Sequence, residues 1–140
     1  MSDTAERPEG RSETMAEPEG MKWLSGIASL VGLWILVSPF VYAATDAGLW
    51  NNVIIGAAIF LIAGYNYYRI VNDYPTSVGA MSLVALLALW TIAAPFTFEI
   101  GVDALLWSNV VAGLLGLIFA GYVAYTGRRI RAGAPAGATD

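Results

Sequence analysis

The chain has 140 residues, 57% hydrophobic and only 13% charged, with a formal net charge of −4 and neither Cys nor His. A water-soluble domain carries about 25% charged residues. The two absent residue types exclude disulfides, thiolate or imidazole metal sites and a histidine proton switch, and the acidic balance argues against a nucleic-acid partner.

The charges avoid four stretches, residues 23–45, 47–68, 74–98 and 104–127, which are 23, 22, 25 and 24 residues long. About 20 mostly apolar residues cross about 30 Å of hydrocarbon as a helix. In chain order the sequence therefore predicts an acidic N-terminal segment over 1–21 and spans at Trp23–Ala43, Gly48–Tyr68, Val78–Phe98 and Leu105–Tyr125. A C-terminal tail over 128–140 closes the chain. Residues 1–21 hold six acids and almost no large apolar side chain, so they cannot bury enough surface to offset their ordering entropy and are read as disordered. Val41-Tyr42-Ala43 faintly resembles a cleavage site, but the apolar stretch before it is too long for a signal-peptide core, so span one is expected to be retained. Span two carries Leu49, Val53, Ile54, Ile55, Ile59, Phe60, Leu61 and Ile62. At about −0.3 to −0.6 kcal/mol each they contribute on the order of −4 kcal/mol to insertion. A soluble bundle would need polar outer faces on these helices, and none is visible in the pattern.

Spans one and two return as spans three and four. Leu33-Trp34-x4-Pro39-Phe40 recurs as Leu89-Trp90-x4-Pro95-Phe96, at an offset of 56. Asp46-Ala47-x-Leu49-Trp50-x-Asn52-Val53-x2-Gly56 recurs as Asp103-Ala104-x-Leu106-Trp107-x-Asn109-Val110-x2-Gly113, at an offset of 57. Ala63-Gly64-Tyr65-x2-Tyr68 recurs as Ala120-Gly121-Tyr122-x2-Tyr125. Fifteen identities fit one frame with a single one-residue insertion between Phe96 and Asp103. Repetition at this period defines the architecture. The expected fold is all-α, with four transmembrane helices arranged as two tandem hairpins in the same orientation. Residues 22–70 form the first repeat, 71–77 a loop and 78–127 the second repeat.

The repeated residues have packing or interfacial readings. Pro39 and Pro95 each remove a backbone donor and crowd the carbonyl four residues earlier. They are read as kinks that aim the chain into the outer loops, with a hinge as the alternative. Asp46 and Asp103 are read as helix caps suited to the positive dipole end. The alternative is an outward cation site with Glu99. Trp50 and Trp107 suit the headgroup level. Trp34 and Trp90 lie deeper and need partners for their N–H groups, with the loosened carbonyls near the prolines as expected acceptors. They are read as packing residues rather than a cofactor box. Asn52 and Asn109 are read as interhelical clasps, with ligand binding as the alternative. Gly56, Gly113 and their small neighbours let helices approach closely. Ala112, Gly116 and Ala120 form a small-residue ridge on span four alone, so span four is expected to pack most tightly, on span two or on a second copy. Tyr65, Tyr67, Tyr68, Tyr122 and Tyr125 mark the other ends of spans two and four, with Arg69, Arg128 and Arg129 beside them, as an aromatic belt with snorkelling cations.

All seven basic residues (Arg7, Arg11, Lys22, Arg69, Arg128, Arg129 and Arg131) fall on one side of a four-span topology. The positive-inside rule then puts both termini in the cytoplasm. An even number of spans per repeat makes the repeats parallel, related by an axis along the membrane normal. The acidic balance with a single lysine also fits a haloarchaeal source.

The frame over residues 23–126 resembles the SPW repeat family, small membrane proteins named for Ser-Pro-Trp in the first of two membrane helices per repeat. Ser38-Pro39-Phe40 keeps the Ser-Pro and replaces the Trp, and Ala94-Pro95-Phe96 keeps only the Pro. The resemblance implies two tandem hairpins and carries no activity or functional residue with it.

The expected function is that of a structural or accessory membrane protein in the lipid bilayer of the cell membrane. It would pack as a homo-oligomer or against a larger membrane protein, with no cofactor. A small oligomeric channel or transporter is the alternative. An enzyme is not expected, because the spans lack the central acids, bases and nucleophiles that such chemistry uses.

Overall fold

A computed structural model describes residues 20–132, and these form four helices in succession: α1 Gly20–Val41, α2 Asp46–Val71, α3 Val78–Thr97 and α4 Asp103–Ala132. The fold is all-α, and each helix is long and apolar enough to cross a membrane. Most of the acidic segment read as disordered lies outside the described residues. Its last two residues, Gly20 and Met21, already belong to α1. At the other end α4 runs on through Arg128 to Ala132, so the tail placed at 128–140 begins as helix. Cations near a helix C-terminus are favoured by the dipole, which lets the arginines prolong α4 rather than end it. Residues 133–140 lie outside the described residues.

The helices neighbour one another in a ring: α1 with α2, α2 with α3, α3 with α4, and α4 with α1. The result is an up-down-up-down bundle in which each repeat is a hairpin. Its seams follow the heptad period. Met21, Ser25, Ala28, Gly32, Ile35 and Pro39 are buried along α1, and Gly48, Asn52, Gly56, Ile59, Ala63 and Asn66 along α2. Steps of three and four residues keep one stripe facing the partner helix. The stripe is unusual in content, because it is built of Gly, Ala, Ser and Asn as much as of aliphatics. The outward faces carry Leu30, Phe40, Ile54, Leu61, Leu86 and Phe96, all exposed. This inside-out distribution suits hydrocarbon, where apolar groups gain nothing by leaving the surface and close packing holds helices together.

The two hairpins close at glycines. A Cβ on Gly32 would stand 2.5 Å from the Phe60 nitrogen, and one on Gly56 would collide with the Leu36 backbone. In the second hairpin Gly113 plays the part of Gly56, with a Cβ position 2.8 Å from the Ala88 carbonyl oxygen. Ala88 stands where the first hairpin has Gly32. The closest helix crossing is therefore in the first hairpin, and the expectation for span four is corrected. Its small-residue ridge faces inward between α3 and α1, with Gly116 against Ala88 and Val31. The ridge does not face α2, because the ring order places α2 diagonally across from α4.

Gly56→Ala should lower the stability of the detergent-solubilised protein by about 1–3 kcal/mol, the range of an overpacked core. Gly121→Ala, whose new Cβ meets nothing within 4 Å, should be neutral or stabilise by up to about 1 kcal/mol. Thermal unfolding followed by circular dichroism separates the two.

Candidate functional site

Most polar side chains inside the bundle gather at its two ends; mid-way, the Ser29 hydroxyl donates to the Phe60 carbonyl at 2.8 Å. Toward the 42–45 and 98–102 loops, Asn52 on α2 and Asn109 on α4 are fully buried and face each other across the diagonal. Asn52 Nδ2 donates to Asn109 Oδ1 at 2.8 Å, and Asn109 Nδ2 donates back to Asn52 Oδ1 at 3.0 Å. Asn52 and Asn109 are pseudo-equivalent, so this reciprocal pair marks the axis that relates the repeats. Asn52 Nδ2 also donates to Ser38 Oγ at 3.1 Å, and the Ser38 hydroxyl donates to the Ile35 carbonyl at 2.9 Å. Ile35 lies four residues before Pro39 and loses its helical donor to that proline. The Ser of the Ser-Pro pair thus replaces the missing donor and links the kink to the amide pair. Ala94, which precedes Pro95, offers no hydroxyl for the same purpose.

Two tryptophans extend this layer. The Trp34 indole N–H donates to Ser108 Oγ at 2.8 Å, and the Trp90 indole N–H donates to Asn51 Oδ1 at 2.8 Å. Ser108 and Asn51 occupy the same position in the two repeats, so each indole reaches into the other hairpin. The expectation that the indoles bond to loosened carbonyls in their own hairpins is corrected. The ring order brings α4 beside α1 and α2 beside α3, and side chains of those helices accept the indole protons. Asn51 Nδ2 donates on to Asn52 Oδ1 at 3.1 Å, which joins Trp90 to the central pair.

The α1–α2 and α3–α4 loops pair above this layer. Thr45 N–H donates to the Ile100 carbonyl at 2.9 Å and Val102 N–H to the Ala43 carbonyl at 3.0 Å, an antiparallel bridge between Ala44 and Gly101. Gly101 has φ 152°, and its Cβ position would collide with the Ala43 carbonyl. Thr45 is the N-cap of α2: its hydroxyl accepts the Gly48 N–H at 3.0 Å and donates to the Glu99 carbonyl at 2.8 Å. Asp46 is therefore the first helical residue rather than the cap, and Asp103 likewise opens α4. One hydroxyl both caps α2 and ties it to the opposite loop, a double role that a carboxylate without a proton could not fill. Asp46, Glu99 and Asp103 are exposed, and among the described residues no group of three acidic side chains comes together to hold a metal ion. Trp50 and Trp107 point outward, 61% and 60% exposed, at matching levels of α2 and α4.

At the opposite end of the bundle lies a cluster that the repeat pattern does not reveal. Asn66 is fully buried; its Nδ2 donates to Ser25 Oγ at 2.8 Å, and its Oδ1 accepts the Ser77 N–H at 2.7 Å. Ser77 in turn caps α3 by accepting the Ala80 N–H at 3.2 Å. One amide thus joins α1, α2 and the connection into α3. Arg69 closes that connection, with Nε donating to the Pro75 carbonyl at 3.0 Å and its guanidinium within 6 Å of the Tyr65 and Tyr74 rings. Asn66 has Val123 as its counterpart in the second repeat, so repeat matching passes over it. The heptad step from Asn52 through Ile59 to Asn66 is the signal that could have found it.

Four membrane-crossing helices, aliphatic outside and knitted inside by amides and hydroxyls, define a multi-pass membrane protein of two fused hairpins. The SPW repeat domain matches residues 22–123, and the chain belongs to that family. No curated protein and no solved structure matches it.

Asn52→Leu should cost about 1–3 kcal/mol, because it strands the Asn109 amide. The Asn52→Leu, Asn109→Leu double variant should lose less than the sum of the singles. A coupling energy above about 0.6 kcal/mol, the mean for interhelical bonds in a membrane, is expected from a double-mutant cycle read by unfolding in mixed micelles.

Proposed function

We propose that this protein is a structural or accessory component of the cell membrane, with both termini in the cytoplasm, that presents its lipid-facing surface to a second copy or to a larger membrane protein. One observation carries the reading. The polar groups buried in the bundle are spent on one another: among the described residues, no buried side-chain nitrogen or oxygen lacks a hydrogen-bond partner. A site for chemistry holds polar groups in reserve for a substrate, whereas these hold helices together. Between the two polar ends the core is filled by Ile35, Ile59, Ala63, Val84 and Ala120, which supports a packing unit over a conduit along the bundle axis. The orientation rests on the basic residues, since Lys22, Arg69, Arg128 and Arg129 lie at the ends remote from Thr45 and Glu99.

Two measurements test this reading. Impermeant maleimide applied to intact cells should label Glu99→Cys and spare Asp73→Cys, and the reverse pattern would refute the orientation. Crosslinking in native membranes should trap one defined oligomer or one defined partner, and recovery of monomer alone would count against an accessory role.

A further inference from the structure

Several departures from the duplication coincide on one face of the bundle. A groove of about 450 Å³ runs between α1 and α4 on the lipid-facing surface. Its walls are Ile27, Leu30 and Val31 on α1 and Val111, Ala112 and Leu115 on α4. Its outer end is formed by Trp34, Tyr42 and Ser108. The pseudo-equivalent face between α3 and α2 carries Leu87 where α1 has Val31, and Ile55 where α4 has Ala112. Leu87 and Ile55 pack against the core with more side-chain volume than Val31 and Ala112, which belong to the same core. Leu115, opposite Ala58, reverses the trend and forms a raised lip of the groove, 41% exposed.

The outer end departs from symmetry as well. Ser108 Oγ accepts the Trp34 indole, which leaves its own proton to donate. Tyr42, which also carries a hydroxyl, packs edge-on against Trp34, with ring centroids 6.3 Å apart, and lines the same end of the groove. Neither hydroxyl donates to a protein group among the described residues. On the other face Phe98 replaces Tyr42 and stacks on Trp90 without a hydroxyl. Asn51 replaces Ser108 there, and its amide already bonds to Trp90 and Asn52. One face alone thus combines an apolar channel with two donors at its outer end.

The depth matches one leaflet. Ser108 lies five residues into α4, about 8 Å below the helix start, and Trp34 to Ile27 spans about 10 Å more at 1.5 Å per residue. Half of a hydrocarbon layer is about 15 Å. We propose that the α1/α4 groove binds one glycerolipid of the leaflet nearest the Thr45 and Glu99 loops. One chain lies along Val31 and Ala112, and the oxygen that joins the chain to glycerol accepts from Tyr42 and Ser108. A glycerolipid fits because it sets an acceptor oxygen directly above a long apolar chain, at the depth where the groove offers donors above an apolar floor.

The test uses the full chain reconstituted into palmitoyl-oleoyl-phosphatidylcholine nanodiscs, released into mild detergent and weighed intact by native mass spectrometry. The zwitterionic lipid keeps the inner arginines from acting as a competing headgroup site. The wild-type chain should keep one phosphatidylcholine. Val31→Leu with Ala112→Ile, which installs the residues of the opposite face, should remove it. Tyr42→Phe should lower retention about threefold to tenfold, the range of one neutral hydrogen bond. Should the double variant fail to fold, Tyr42→Phe decides alone, and unchanged retention in that variant overturns the proposal. So does a lipid-free wild type, a lipid kept by a folded double variant, a lipid lost with Arg129→Gln but not with the groove variants, or a wild-type dimer that the double variant splits.

Discussion

A carboxamide in hydrocarbon has no water to turn to, and this constraint organises the bundle. Each side-chain or backbone polar group left unpaired in lipid costs several kcal/mol. The chain nevertheless places Asn52, Asn66 and Asn109 fully inside. They are tolerated because each is held by a partner that only the assembled bundle supplies. Asn52 and Asn109 need both hairpins, and Asn66 needs α1 and the connection to α3. The polar groups therefore specify which helices meet and at what level. The amount of attraction comes instead from the close backbone approach at Gly32, Gly56 and Gly113, since helices immersed in lipid have no hydrophobic drive to associate.

The two hairpins share this plan and divide the labour unequally. The first has glycine on both sides of its crossing, a serine that repairs the proline break, and an amide, Asn66, at its other end. The second replaces these with Ala88, Ala94 and Val123, so its interior is simpler and its α4 carries a ridge of small residues. The same small residues leave room beside α1, where Val31 and Ala112 stand in for Leu87 and Ile55. Smaller side chains at the seam between the hairpins create surface relief there while the crossings within each hairpin stay close.

The helices, their order and their pairing into hairpins were legible in the sequence. Charge-free stretches of membrane length and a repeat frame report backbone and lipid physics directly. The pairing of Asn52 with Asn109 could be expected in kind, because a repeated amide in a span has few other uses. The indole partners were not legible. Which helix lies beside Trp34 depends on the ring order of the bundle, and two tandem hairpins alone do not fix that order. The cap of α2 was misplaced by one residue for a local reason: Asp46 and Thr45 are both good caps, and only the opposite loop, which needs a donor for Glu99, decides between them. Asn66 escaped because duplication hides what only one copy contains.

The amide pair also bears on how such a chain can arise. A carboxamide both gives and receives a hydrogen bond, so it is its own complement, and the contact between Asn52 and Asn109 is one that two copies of a single hairpin could make across a true dyad. In a single chain that contact stands, while every position away from the dyad is free to serve one environment instead of two. The extra residue in the second loop, beside the bridge between Ala44 and Gly101, is a difference that a strictly symmetric pair of hairpins could not carry on one side alone.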